Sequence, residues 1–516
     1  MNNIRRKLVN NVFLNISIFR MVYLCVLFLC SFCFAEIPFN GVKYAMLVWG
    51  GVIIYYYYIK PKRYFDVLYA RWLVGFLFAS LITLLVHITD NFLPNFVLLC
   101  HIVICFFVLY GMHTEKNKKR KRKELYLVSL IIVATTTVAM VIGFVLLFWG
   151  EQKIVFFNST YKMVIYENRF TGIVTNPNLL GFYAVVAIVC AHILSKRNLY
   201  KEFGIEKKIP NWLLIVSAVI NAVGLFLSDS NGALLLFICY GIGYFIYYVF
   251  GGVPKINIKG FALRCCGILL ASVIAVGFSV GLRWCVNTGV SVAINSVSTQ
   301  IVVPNKPNDK PAVDKGNVGI VTFAHENDNL DSGRISLLQK AVVVFYNNPI
   351  FGVGKENILL YGKRLLETGF KYKDLHNGYL TILVSNGLVG FALFIGFAVS
   401  LGRHCVKSLF LEKKKLRGSP FVCLFAFIFG YCIYAVVEKT LLMEQTYMVA
   451  IFWYFLGYAS CYMCKYNHIN DTFDIKSMLI GNSNKDRSSI DIIDVPTEDN
   501  EADDTIPISK ECLLEK

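Results

Sequence analysis

The sequence predicts an all-α polytopic membrane protein of about twelve transmembrane helices with one large external loop. Three observations predict it. Hydrophobic residues make up 56% of the 516 residues, with a mean hydropathy of +0.57, where soluble chains hold roughly 45–50% apolar residues. These residues gather into blocks of roughly 20, the length of helix that crosses ~30 Å of hydrocarbon. Basic residues collect in alternate loops between the blocks, as expected where positive charge sets orientation.

The apolar blocks run approximately over 17–35, 42–59, 72–88, 92–112, 125–149, 173–195, 212–228, 232–252, 265–284, 378–400, 420–437 and 446–464. The loop EKNKKRKRKE (115–124) carries seven basic residues and is expected in the cytoplasm. Alternation then assigns Arg5–Lys7, Lys60–Arg71, Lys196–Lys208, Lys255–Arg264 and Arg403–Arg417 to the same side, and each is basic. The opposite short loops, EIPFNG, TDN, SDSNG and EKTLLMEQ, are nearly free of Lys and Arg. Both termini are therefore expected in the cytoplasm. Arg5, Arg6 and Lys7 before an apolar stretch ending CFAE also have the outline of a signal peptide, but the stretch is long for that role, and a retained helix is expected.

Four regions follow: a transmembrane bundle over 1–284, a large external loop over 285–377, further transmembrane helices over 378–464, and a cytoplasmic tail over 465–516. The tail becomes acidic at EDNEADD, a composition expected to be disordered. The loop begins with the Pro- and Lys-rich VVPNKPNDKPAVDKG. A helix is expected next, capped by Asp331 or Ser332. Its Ile335, Leu338, Val342 and Phe345 fall at helical spacing, an apolar face suited to the outer membrane surface. Pro349 and the glycines of NNPIFGVG end it.

The net charge of +18 is spread over loops between apolar blocks, so no nucleic-acid partner is expected. Most of the 16 cysteines lie in blocks among other apolar residues, and none has metal-ligand spacing. Arg20 and Arg71 are expected to snorkel from helix ends. Otherwise the spans hold few ionisable residues, which argues against a proton-driven carrier.

Polar residues gather on the side of the large loop. TNPNLLG sets Asn176 and Asn178 at the end of block six, and SDSNG sets Asn231 at an outer turn. The same residue types also cap ordinary helix ends. The loop carries Arg334, Lys340, Lys355, Lys363, Arg364, Lys371 and Lys373, a set able to hold an anion or simply to stay solvated. His376 and Asn377 stand where the loop re-enters the membrane. Histidine titrates near neutrality and can take a hydroxyl proton, and it also serves as a structural residue at an interface. No carboxylate cluster is evident on this side.

Taken in order, TNPNLLGFYAV, SDSNGALLLF, SGRISLLQKAVVVFYNNPIFGVG and LHNGYLTILVSNGLVGFALF resemble the successive motifs of the O-antigen ligase and polymerase family, over roughly residues 173–400. The resemblance implies a glycosyltransferase of the bacterial cytoplasmic (inner) membrane, with its active face external or periplasmic. It implies metal- and cofactor-independent transfer of a glycan from a polyprenyl (undecaprenyl) diphosphate carrier, as in building capsule or O-antigen. Arg334 matches the family's loop arginine, placed on the diphosphate. His376 matches the histidine of its HN motif, placed on the acceptor hydroxyl. Gly352 and Gly354 match the GVG turn, and Gly387 and Gly390 the small residues after the histidine. Asn377, Lys355, Lys363, Arg364, Asn176, Asn178 and Asn231 are the expected substrate-binding residues. Relatives often carry Ser-Arg-Gly where this chain has Ser230-Asn231-Gly232, and Lys355, Lys363 or Arg364 are the expected substitutes for the missing charge. A repeat-unit polymerase is the leading expectation, with a chain-length regulator as a partner of the tail. A ligase of the same fold and a carrier or flippase for lipid-linked sugars are the alternatives.

Overall fold

A computed structural model describes residues 12–463, except 35, 115–117, 150–152, 157–158, 163, 197–198, 200–207, 252–257, 298–333, 367–369, 371–373 and 412–417. Arg5–Lys7, the segment 302–316, the cap at Asp331 or Ser332, Lys371, Lys373 and the tail lie outside the described residues.

Every predicted apolar block is helical. The helices are α1 (Ile16–Leu29), α2 (Glu36–Ile54), α3 (Ala70–Val86), α4 (Phe92–Val103), α5 (Lys118–Trp149), α6 (Pro177–Ser195), α7 (Asn211–Leu227), α8 (Asn231–Phe250) and α9 (Ile258–Val297). After the loop helices α10 (Arg334–Asn347) and α11 (Ile358–Leu365) come α12 (Gly378–Val406), α13 (Pro420–Tyr434) and α14 (Tyr447–Met463). Among the described residues, six helical stretches are long and apolar enough to cross a membrane: Phe92–Thr114, Lys123–Trp149, Pro177–Ser195, Asn231–Phe250, Ile258–Ser296 and Gly378–Phe410. Helix α9 does not stop near 284, where the large loop was expected to begin, but continues to Val297. Its added turns, CVNTGVSVAINSV, contain no proline, and their single Gly289 is tolerated inside the helix.

Backbone polar groups in a bilayer must be satisfied within the protein, and the helix starts show how. Asn15, Asn176, Ser230, Asn377 and Ser419 each accept a hydrogen bond from a first-turn N–H, and Pro177 and Pro420 occupy first-turn positions where no donor is needed.

Helix α12 is broken at Gly387, whose φ is 64° and ψ −169°. The loop segment 349–354 repairs the break. Leu388 and Val389 N–H donate to the carbonyls of Pro349 (2.8 Å) and Ile350 (3.1 Å), while the carbonyls of Val384 and Ser385 accept from Val353 (3.1 Å) and Gly354 (2.9 Å). The backbones touch, so a Cβ on Gly387 would lie 2.2 Å from the Ile350 carbonyl oxygen, and one on Gly352 2.5 Å from that of Val384. Helix α3 holds the same segment. Thr83 Oγ1 donates to the Phe351 carbonyl (2.6 Å), and His87 Nε2 lies 3.0 Å from that of Gly352.

Helix α10 packs beside this strap, and of the expected surface stripe only Phe345 turns toward it, packed against a small core. Leu337, Ala341 and Val344 are buried in a small core with Val353, Ile358, Leu375 and Val384. Ile335 (58%), Leu338 (47%) and Val342 (37%) stay exposed. These three form an exposed apolar face, of the kind suited to a membrane surface.

Two hairpins that the sequence reading did not foresee lie between α5 and α6: β1 (Lys153–Phe156) with β2 (Ser159–Lys162), and β3 (Val164–Tyr166) with β4 (Arg169–Gly172). Glu167 and Asn168 close the second one, both at positive φ, as tight two-residue hairpins require. Phe170 stacks on Phe144 with ring centroids 5.2 Å apart, which fixes the hairpin to α5.

Arg20 does not snorkel. It is fully buried and donates to both Glu124 carboxylate oxygens at 2.7 Å. A guanidinium matches a carboxylate with two parallel bonds, so Glu124 reached from α5 replaces water.

Two outcomes are expected. Gly387→Ala loses about 1–3 kcal/mol from its left-handed backbone alone and more from displacing Ile350, whereas Gly402→Ala, with open space around it, has no such cost; thermal unfolding of the purified protein measures both. Glu124→Ala costs about 3–5 kcal/mol by stranding Arg20, and the paired replacement Arg20→Met with Glu124→Leu restores most of it.

Candidate active site

His376 sits at the entry to α12, with φ at +46°, a region that few residues other than glycine occupy. Both sides of it are anchored. Asn377 Oδ1 accepts from Leu380 N at 2.9 Å. The next residue, Gly378, donates its N–H to the Ala435 carbonyl (2.7 Å), and a Cβ there would lie 2.9 Å from Leu441 Cβ. The sequence His-Asn-Gly therefore encodes a strained residue, a cap and a close approach to the 435–446 loop.

That loop brings Glu438, Lys439 and Glu444. His376 Nδ1 lies 3.5 Å from Glu438 Oε2. Lys439 pairs with Asp374, and with Glu444 at 2.7 Å; Lys355 Nζ is 3.6 Å from Asp374. Asp374 and Glu444, from two loops separated by α12 and α13, thus meet on Lys439. Burial would raise the Asp374 carboxyl, but Lys439 and Lys355 outweigh it and hold the group below its ordinary value. Burial would likewise lower Lys439, and Glu444 and Asp374 turn its shift upward. For Glu444 burial wins over Lys439 and pushes its carboxyl up to about 7.

A second group of charges joins through Glu438. Gly232, at the start of α8, faces Glu438, and a Cβ there would lie 3.5 Å from Glu438 Cγ and 3.0 Å from the Tyr434 ring. Beside Gly232, Asn231 Oδ1 accepts from Arg283 Nη1 at 2.7 Å, and the same guanidinium is ion-paired with buried Asp229. Arg169, from β4, donates through Nε to the Ser228 carbonyl (2.9 Å) and through Nη2 to Asn178 Oδ1 (2.5 Å). Burial lowers the Arg169 pKa, while Glu167 and Glu438 raise it; an arginine still carries its charge under such conditions. Arg169 and Arg283 are close enough to repel one another.

The structure thus brings His376, Asn377, Asn178, Asn231 and Lys355 to one end of the bundle. Asn176 stands beside them as a cap, accepting from Asn178 N at 2.8 Å. Arg334 begins α10, and its side chain lies outside the described residues. Arg364 goes elsewhere: it forks onto Asp90 at 2.9 and 3.1 Å, between α3 and α4. Lys363 is exposed on the same short helix. The expected substitutes at position 231 are corrected accordingly, since the cation that reaches Asn231 is Arg283. Sequence reasoning missed Arg283 because it fell inside an apolar block. It missed Arg169 because the hairpin was unseen, although VIYENRFTG carries an alternating pattern around a Glu-Asn turn.

Buried Arg169, partly buried Arg283, His376, Lys355 and Lys439 thus gather at one end of the bundle. Residues 216–395 match the O-antigen ligase family. The resemblance carried by the motifs is borne out over this stretch, which holds Asn231, Arg283, Arg334 and His376. No curated protein matches the chain. O-antigen ligase family members act on lipid-linked oligosaccharide within a membrane. The match supports an enzyme of ligase or polymerase type, and the apolar helices fit a multi-pass protein of a bacterial inner membrane.

Glu444 makes the site sensitive to pH. Its folded pKa of about 7 exceeds its ordinary 4.5, so its contribution to stability is complete at low pH and is lost as pH rises between those values. The loss is on the order of 3 kcal/mol. Thermal unfolding in nanodiscs across this range is expected to fall less steeply for Glu444→Gln than for wild type.

Proposed function

We propose that the protein is a polysaccharide repeat-unit polymerase that moves a glycan from a polyprenyl-diphosphate carrier to an acceptor sugar at the external face of the membrane. The observation that carries this reading is the meeting of His376 with buried Arg169 through Glu438, with Arg283 beside Arg169, inside and beside the stretch matched to the O-antigen ligase family. The basic loop 115–124 supports a cytoplasmic position for the opposite end of the bundle. Both termini are then cytoplasmic.

In this reading the acceptor hydroxyl attacks the anomeric carbon of the donor. The bond from that carbon to the diphosphate oxygen breaks, and the electron pair leaves with the polyprenyl diphosphate. His376 takes the hydroxyl proton. Arg283, Arg169 and Arg334 offset the growing negative charge on the leaving group, and charges already fixed in a water-poor site need no rearrangement to do so. Arginine suits the task because its planar fork binds two oxygens at once. A single displacement of this kind inverts the anomeric centre. Lys355, held by Asp374, and Asn178, held by Arg169, line the approach.

A lip position serves such a substrate. Its isoprenoid tail stays in the bilayer, its sugars stay in water, and its diphosphate lies at the boundary, where α6, α8 and α12 begin. The ligase reading has one specific support, the description of the matched family.

The test uses cells that lack the protein, complemented at equal membrane levels. Wild type is expected to restore a long glycan ladder, and His376→Ala to lower transfer by about 10²–10⁴-fold, leaving single repeat units. Arg283→Ala is expected to fail similarly and to be rescued by Asn231→Arg, which returns a guanidinium to the same spot. Long chains retained on the lipid carrier in the deletion strain would assign a ligase. A normal ladder from His376→Ala and Arg334→Ala would overturn the enzymatic reading in favour of transport.

A further inference from the structure

The 435–446 loop carries an acidic residue that the proposed chemistry has not used. Glu438 is largely buried, its side chain 10% exposed, and lies 3.5 Å from His376 Nδ1. Its neighbours explain why it faces the imidazole and not a lysine. Lys439 is taken by Asp374 and Glu444, and Lys355 by Asp374 and Glu356. The Glu438 backbone is fixed by its N–H bond to the Tyr434 carbonyl (3.0 Å), and Gly232 leaves room for its side chain against α8. On the histidine side, the cap at Asn377 and the Gly378–Ala435 bond hold the imidazole's backbone to this same loop.

Resting on the reading of His376 as the base, we propose that Glu438 is a positioning residue that sets the tautomer and orientation of His376. A carboxylate at Nδ1 accepts the Nδ1 proton, which puts the ring's lone pair on Nε2. Nε2 is then the atom that receives the acceptor's proton, and the imidazolium formed faces a counter-charge. A separation of 3.5 Å is longer than a direct hydrogen bond, and such catalytic contacts tighten when substrate is bound. Glu438 also interacts with Arg169. When the diphosphate engages that arginine, the carboxylate's remaining partner is the histidine. This couples donor binding to activation of the base.

The experiment combines a spectroscopic and a kinetic arm on full-length protein in nanodiscs. Protein labelled with ¹⁵N-histidine is compared with His376→Ala, which identifies the His376 signals. Wild type is expected to show the Nδ1–H tautomer, and Glu438→Gln to lose it. The Nε2–H tautomer in wild type overturns the proposal, whether or not transfer is detected. With a lipid-linked oligosaccharide as donor, Glu438→Gln is expected to lower kcat roughly 10–100-fold, below the ~10²–10⁴ of a lost base, with KM for donor unchanged. The double variant His376→Ala/Glu438→Gln should be no worse than His376→Ala, because residues that act as a unit are not additive. Losses that multiply would make Glu438 merely structural. Should Glu438→Gln fail to fold, Glu438→Asp withdraws the carboxylate by one methylene, and wild-type kcat from it overturns the proposal. A wild type that shows the Nδ1–H tautomer but no transfer would refute the transferase reading alone.

Discussion

The break in α12 at Gly387 is the constraint on which the rest of the site depends. A helix interrupted inside a membrane exposes carbonyls and N–H groups that lipid cannot satisfy, and each costs several kcal/mol. The chain meets the cost with residues 349–354, which exchange four backbone hydrogen bonds with the two sides of the break. This fixes the large loop to the bundle. Helix α10 then packs on the strap, Lys355 follows it directly, and the first half of α12 is aimed so that His376 meets the 435–446 loop. Gly352 and Gly387 are needed because two backbones touch there.

The charges at this end are arranged by the same economy. Asp374, Lys439 and Glu444 form a partly buried chain that ties the histidine segment to the loop between α13 and α14. Arg169 and Arg283 are held by carbonyl and side-chain oxygens at the starts of α6 and α8. Charges fixed this way have already lost part of their hydration during folding. An anionic group arriving from the membrane boundary meets them preorganised, in surroundings where electrostatic attraction is stronger than in water. Asn231 keeps its place in the arrangement by accepting from the arginine that another helix supplies.

Several side chains behave differently from what local reasoning gives. Ile335, Leu338 and Val342 of the expected surface stripe stay exposed, yet Phe345, its fourth member, packs on the small core that holds Ala341 and Val344. The helix has two apolar faces, and the smaller one fits against the closely packed strap. Arg20 has a helix-end position suited to snorkelling, yet Glu124 lies opposite it once α1 and α5 pack. In both cases the deciding partner is distant in sequence.

The sequence by itself determined the twelve apolar blocks, their alternating basic loops, the end at which polar residues collect, and the order of motifs that the family match bears out. These properties are local: hydropathy over a helix length and turn residues at fixed offsets are enough to specify them. His376 and Asn377 were legible because a polar pair at the start of an apolar run is visible in the chain itself. Only the tertiary structure decided that Arg283 serves Asn231, that Arg169 arrives on a hairpin, and that Glu438 faces His376. It also decided that Arg364 belongs to Asp90. Ion pairs and backbone exchanges between residues tens to hundreds of positions apart depend on how helices pack, and no local pattern encodes which buried charge will find which partner.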